Sequence, residues 1–83
     1  MRKETLKSLA DVPAGSSAAV VALQGGKGFV NRMASLGFTP GTEVQVVQNY
    51  RRGPIITLVR GTRVALGRGT SLKVLVEPQN NDQ

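Results

Sequence analysis

The 83-residue sequence has no cysteine, no histidine and no tryptophan. Without cysteine there is no disulfide framework, which fits a reducing compartment, and no thiolate nucleophile. Without histidine there is no imidazole to act as a general base near neutral pH. The same two absences remove the usual ligands for zinc, copper and iron. What remains for metal chemistry is five carboxylates, Glu4, Asp11, Glu43, Glu77 and Asp82, and two methionines, Met1 and Met33. The carboxylates are scattered, with no pair at helical spacing and no alternating acidic cluster. No catalytic residue and no cofactor or metal is therefore expected in the monomer, which leaves only a weak or intersubunit carboxylate site open. Aromatics are 4% of the chain, Phe29, Phe38 and Tyr50. That is few for a protein that stacks single-stranded bases or lines a proline-peptide groove. No apolar run approaches the roughly 20 residues needed to span a bilayer. Arg2, Lys3, Glu4 and Lys7 interrupt the start, so no signal peptide is visible and a cytoplasmic location is expected.

What is abundant is positive charge. Eleven Lys and Arg stand against five Asp and Glu, a net charge of +6. Such a surface draws polyanions or an acidic protein face, although a charge of this size is also ordinary for solubility. The length allows one domain with a thin core, and the ten glycines point to tight bends.

The most informative stretch is Lys27 to Gln48. Phe29, Met33 and Leu36 recur at i, i+4 and i+7, which predicts one face of a short helix packed on the core. Gly37 stands where a helix end favours a left-handed residue, and Phe38 where a Schellman motif folds an apolar contact back onto the last turn. Thr39-Pro40-Gly41 predicts a type II turn. Thr42 to Gln48 then alternates, with Val44 and Val46 on one face.

The remaining chain reads as short strands and turns. Leu6 and Leu9 predict a helical turn pinned by two leucines, and Asp11 to Gly15 a loop. Ser16 to Gln24 predicts a strand buried on both faces. Asn49 to Pro54 is a loop tip carrying Tyr50, Arg51 and Arg52. Ile55–Arg60 and Arg63–Leu66 predict a hairpin joined by Gly61-Thr62. Gly67 to Ser71 is a tight connection, and Leu72 to Glu77 a last strand stopped by Pro78. A single domain over 1–78 is expected, with a disordered polar tail over 79–83. The fold class is mainly β: a small, strongly bent antiparallel barrel of about five strands with one short inserted helix.

The run RMASLGFTPGTEVQVV resembles the signature of the FeoA family, small bacterial proteins of ferrous iron uptake. Arg32, Met33, Leu36, Gly37, Phe38, Pro40 and Gly41 carry the likeness, with Met33 where the family usually has leucine. Gly25-Gly26, Gly53-Pro54 and VALGR (Val64 to Arg68) extend it from about Thr5 to Val76. The resemblance implies an SH3-like barrel and a non-catalytic cytosolic adaptor. Its partner would be FeoB, a membrane permease with a GTP-binding domain, so that Fe2+ enters only at the level of the transport system. The chain would then sit at the inner face of the membrane through that partner, without being a membrane protein itself. The candidate partner-binding residues are Tyr50, Arg51, Arg52, Arg60, Arg63 and Arg68. If an arginine is supplied to the partner's nucleotide site, Arg51 or Arg52 is the candidate. The alternatives are a basic small barrel that binds nucleic acid, for which there is no strong signal, and a metal-sensing module related to the terminal domain of metal-dependent repressors. Gly25 to Gly28 (GGKG) lacks the spacing of a phosphate loop and reads as the lead into a helix. Arg32, beside the apolar helix stripe, reads as a helix cap or as half of an internal ion pair, with Glu43 as the candidate partner.

Overall fold

A computed structural model describes residues 6–50 and 52–79. The chain forms β1 (Lys7–Ser8), a 3-10 turn (Leu9–Asp11), β2 (Ser17–Leu23), α1 (Lys27–Ser35), β3 (Glu43–Gln48), β4 (Ile55–Val59), β5 (Thr62–Leu66), α2 (Arg68–Ser71) and β6 (Val74–Gln79). Six strands make one antiparallel sheet in the order β1-β6-β2-β3-β4-β5. This is the mainly β, SH3-like architecture expected from the pattern, with β1 as an additional short strand.

Alternation along the strands builds the interior. Val44 and Val46 of β3, Ile55 and Val59 of β4, and Val74 and Val76 of β6 are buried, with Ala18 and Val20 of β2 beside them. Leu9 and Val12 close one end of this core, and Phe38 and Met33 close another. Two strands carry bulges. The register shifts between Val20 and Ala22 in β2 and between Val46 and Gln48 in β3. The extra residues, Val21 and Val47, are left exposed at the surface. Bulges bend a strand and increase its twist, which is how so short a sheet curls around its own core.

The helix-to-strand junction follows the local signals closely. Gly37 has φ 103°, its N–H bonds the Ala34 carbonyl, and the Phe38 N–H bonds the Met33 carbonyl. These are the two bonds of a Schellman motif, and they drive Phe38 into the core. Gly41 has φ 94° and the Thr42 N–H bonds the Thr39 carbonyl at 3.0 Å, as a type II turn requires.

Five expectations are corrected. Leu36 is exposed, because α1 ends at Ser35 and the cap turns Leu36 out of the stripe while Phe38 takes the core position. Leu6 is exposed, and the helical turn begins at Leu9 instead. β2 is buried on one face only. Leu72 lies at the end of α2, exposed, and not on the last strand. Pro78 does not stop β6, which continues to Gln79 with Pro78 opposite Ala18. Pro78 lies beyond the described pairs of β6 with β1, Lys7–Val76 and Ser8–Leu75, so no described residue of β1 stands opposite its missing N–H. The start at 1–5 and the remainder of the tail, 80–83, lie outside the described residues.

Candidate functional site

Between Val44 and Val76 the sequence contains six cations, Arg51, Arg52, Arg60, Arg63, Arg68 and Lys73, and no Asp or Glu. The β4–β5 hairpin organises most of them. Its turn is Arg60-Gly61, one residue earlier than the sequence pattern placed it, with Val59 opposite Thr62. Arg60 has φ 51° and Gly61 φ 80°. Two successive left-handed residues make a type I′ turn, whose twist matches the hairpin. Arg60 is the one non-glycine residue with positive φ among the described residues. Its guanidinium donates to the Thr42 hydroxyl at 3.3 Å, and that oxygen lies 2.8 Å from the Thr39 hydroxyl. The hairpin turn is thus tied to the Pro40-Gly41 turn.

The other end of the hairpin is organised by Asn49, a residue the sequence reading assigned only to a loop. Its Nδ2 donates to the carbonyls of Ala10 at 3.1 Å and Val12 at 2.7 Å. Its Oδ1 accepts from the Arg68 guanidinium at 2.7 Å, and the same Arg68 nitrogen donates to the Tyr50 carbonyl. One side chain therefore joins the 3-10 turn, the end of β3 and α2. Ala10, Asp11, Asn49 and Arg68 line a polar cleft of about 380 Å³ beside it. The Nε of Arg68 is enclosed there without a hydrogen-bond partner.

Of the six predicted partner residues, the five described fall into two groups. Tyr50, Arg52 and Arg68 lie at the open end of the hairpin, where Ile55 pairs with Leu66. Arg60 and Arg63 lie at the turn end. Four residue steps at about 3.3 Å separate the two ends, roughly 13 Å along the strands. Tyr50, Arg52, Arg60 and Arg63 are exposed, while Arg68 is half-buried. Arg51 lies outside the described residues. Arg32 is exposed on α1, and the ion pair with Glu43 is not formed. Of the signature residues, Met33 and Phe38 are core, Gly37 and Gly41 take positive φ, and Pro40 fixes the turn. Lys73 sits 5.3 Å from the centroid of the Phe29 ring, which engages that cation with α1.

A second groove, about 480 Å³, opens between the end of α1 and the hairpin. Leu36, Gly37, Val59 and Val64 line it, with Arg60 and Thr62 at its rim. The Leu36 that left the core is part of its wall. Among the described residues, no group of three or more acidic, His or Cys side chains is arranged to hold a metal ion. No helix among them is long and apolar enough to cross a membrane.

Residues 7–78 match the family model described as the FeoA domain. A protein of Methanocaldococcus jannaschii named for Fe(2+) transport, protein A, is 33% identical over 69 residues, covering 83% of each chain. The crystal structure of an iron uptake regulatory protein, FeoA, superposes with a TM-score of 0.85 at 34% identity, covering 89% of this chain and 99% of that one. FeoA of Stenotrophomonas maltophilia, solved with zinc and described as an SH3 domain protein, gives a TM-score of 0.74 at 29% identity, covering 84% and 88%. A manganese-dependent transcriptional repressor shares the fold alone, with a TM-score of 0.79 at 17% identity over 42% of its length.

Proposed function

The chain belongs to the FeoA family of ferrous iron transport, and from that premise we propose that it acts as a non-catalytic adaptor on the cytosolic part of a FeoB-like permease. Iron is then the cargo of the system and is not held by this chain. The carrying observation is the acid-free stretch from Val44 to Val76, with Arg60 and Arg63 exposed on the same hairpin. A surface of one sign attracts an acidic face and speeds its encounter. Arg52 and Tyr50 extend that surface at the far end, where Arg68 ties down the Tyr50 carbonyl.

The test is retention of the permease's cytosolic GTP-binding part by the purified chain, with and without GTP. Retention that weakens several-fold in an Arg52→Ala, Arg63→Ala variant is expected. Loss of retention between low and moderate salt should accompany it, since exposed charges are screened within about 10 Å at 0.1 M. Absence of retention in every nucleotide state refutes the adaptor reading. A calorimetric titration with ferrous or manganous ion tests the metal-sensing alternative, which micromolar binding to the chain alone would restore.

A further inference from the structure

We propose that the free edge of β5 is a strand-addition site for an extended partner segment that alternates acidic and apolar residues. Among the described residues, β5 is the last strand of the sheet and pairs with β4 alone. In a hairpin closed by a two-residue turn, the pair flanking the turn is hydrogen-bonded and the pairs then alternate. Val59–Thr62, Thr57–Val64 and Ile55–Leu66 are therefore the bonded pairs. The Val64 carbonyl also accepts the Thr57 hydroxyl at 2.8 Å, consistent with its facing β4. The N–H and C=O of Arg63 and Ala65 consequently point away from the sheet, four backbone groups in a row. Natural sheets blunt such an edge or use it to take up another strand.

The surroundings specify the occupant. In an antiparallel addition, the partner residue opposite Arg63 exchanges both backbone bonds with it and places its side chain on the same face. Arg63 is exposed on that face, so an acidic residue belongs opposite it. The neighbours of that residue point to the other face. There the groove beside β5 offers Leu36, Val59 and Val64, so apolar residues belong at those positions. Arg60 lines the same groove and adds a second cation. A second copy of this chain fits poorly. Antiparallel self-pairing centred on Val64 sets Arg63 against Ala65 and brings the two Arg63 side chains onto one face.

This inference rests on the adaptor reading for the owner of the segment, but its chemistry can be tested alone. Four capped hexapeptides serve as probes with the full chain: alternating valine and glutamate, alternating valine and lysine, and the first peptide N-methylated either at its glutamates or at its valines. The glutamate peptide is expected to slow amide exchange at Arg63 and Ala65 at least tenfold. It should bind five- to tenfold more tightly than the lysine peptide, and N-methylation of the glutamates should abolish binding. N-methylation of the valines instead, whose amides face solvent, should be tolerated. R63E, an exposed change that leaves the core intact, should reverse the preference between the charged peptides. No binding, equal binding of the two charged peptides, or protection that omits Arg63 and Ala65 overturns the proposal. Permease that is retained but not displaced by excess glutamate peptide overturns it too, while leaving the adaptor reading standing. Docking of the peptide with no retention of the permease upholds the strand-addition site and removes only its assigned owner.

Discussion

Replacing Asn49 with alanine perturbs the one side chain that ties three elements together. Three hydrogen bonds are lost: two donated to the Ala10 and Val12 carbonyls and one accepted from Arg68. Ala10 and Val12 are buried residues, so water does not simply replace the missing donor. At about 0.5–1.5 kcal/mol net per bond, the expected loss is about 2–4 kcal/mol. Against a total stability of roughly 4–12 kcal/mol for a chain of this size, that is a large fraction. Thermal unfolding followed by circular dichroism should show the midpoint falling by about 8–30 °C. Asn49→Asp separates the contributions. It keeps an oxygen for Arg68 but has no donor for the two carbonyls, so it should recover only part of the loss. In urea, an unchanged slope with a lowered midpoint would show lost stability without a change in the surface exposed on unfolding. A loss below about 0.5 kcal/mol for Asn49→Ala, the range of ordinary surface changes, would falsify the view that this residue anchors the loop after β3.

A glycine series should distinguish backbone strain from crowding. Gly67→Ala, with ordinary φ and open space, should be within about 0.5 kcal/mol of neutral; Gly41→Ala, strained at φ 94° but uncrowded, should cost about 1–2 kcal/mol; Gly37→Ala should cost more, because its Cβ would also lie 3.2 Å from the Val59 side chain. Equal midpoints for all three in urea would contradict this ordering. Phe38→Ala empties a fully buried site and should cost about 3–5 kcal/mol by the same measurement. Thr57→Val keeps the shape of a buried side chain but removes the hydroxyl bonded to Val64, and a loss of about 0.5–1.5 kcal/mol is expected. A more stable Thr57→Val protein would show that the hydroxyl contributes nothing net.

Features set by neighbours within about five residues could be read from the sequence. The placing of Phe29 and Met33 on the core side of α1, Gly37 with Phe38, the Pro40-Gly41 turn and the alternation of β3 all involve short-range chemistry, and the structure has each of them. The misreadings arise where a distant element decides. Asn49 reads as a loop residue, yet its partners lie 37 and 39 positions away. Pro78 reads as a strand terminator, yet it pairs with Ala18 of β2, beyond the described pairs of β6 with β1. Val21 reads as buried because both faces of its strand are apolar, whereas a bulge turns it outward. Leu36 continues the helical period, but the cap ends the helix before the period can place it. The hairpin turn was displaced by one residue because Arg60 is a poor candidate for positive φ, until its bond to Thr42 is seen. Of the candidate site, the sequence shows which residues are cationic. It does not show that they divide between the two ends of one hairpin.

The signature residues and the proposed docking edge are linked, and the link limits which variants inform about function. Gly37 reverses the chain so that Phe38 enters the core and Leu36 is released to the surface. Pro40 and Gly41 then bring Thr42 to the Arg60 turn. The groove beside β5 is built by these same residues, since Leu36 and Gly37 form one wall and Val59 and Val64 the other. A change at Gly37, Phe38 or Gly41 would therefore reduce partner retention by unfolding the wall, whatever the partner recognises. Arg63 is different: it is exposed, makes no hydrogen bond with another side chain among the described residues, and its backbone is held by β4. R63E should leave the unfolding free energy within about 0.5 kcal/mol of the parent, as surface changes do, while reversing the peptide preference. If retention and stability instead fall together in R63E, the edge of β5 is a structural element of the barrel and the cations at the Tyr50 end carry recognition.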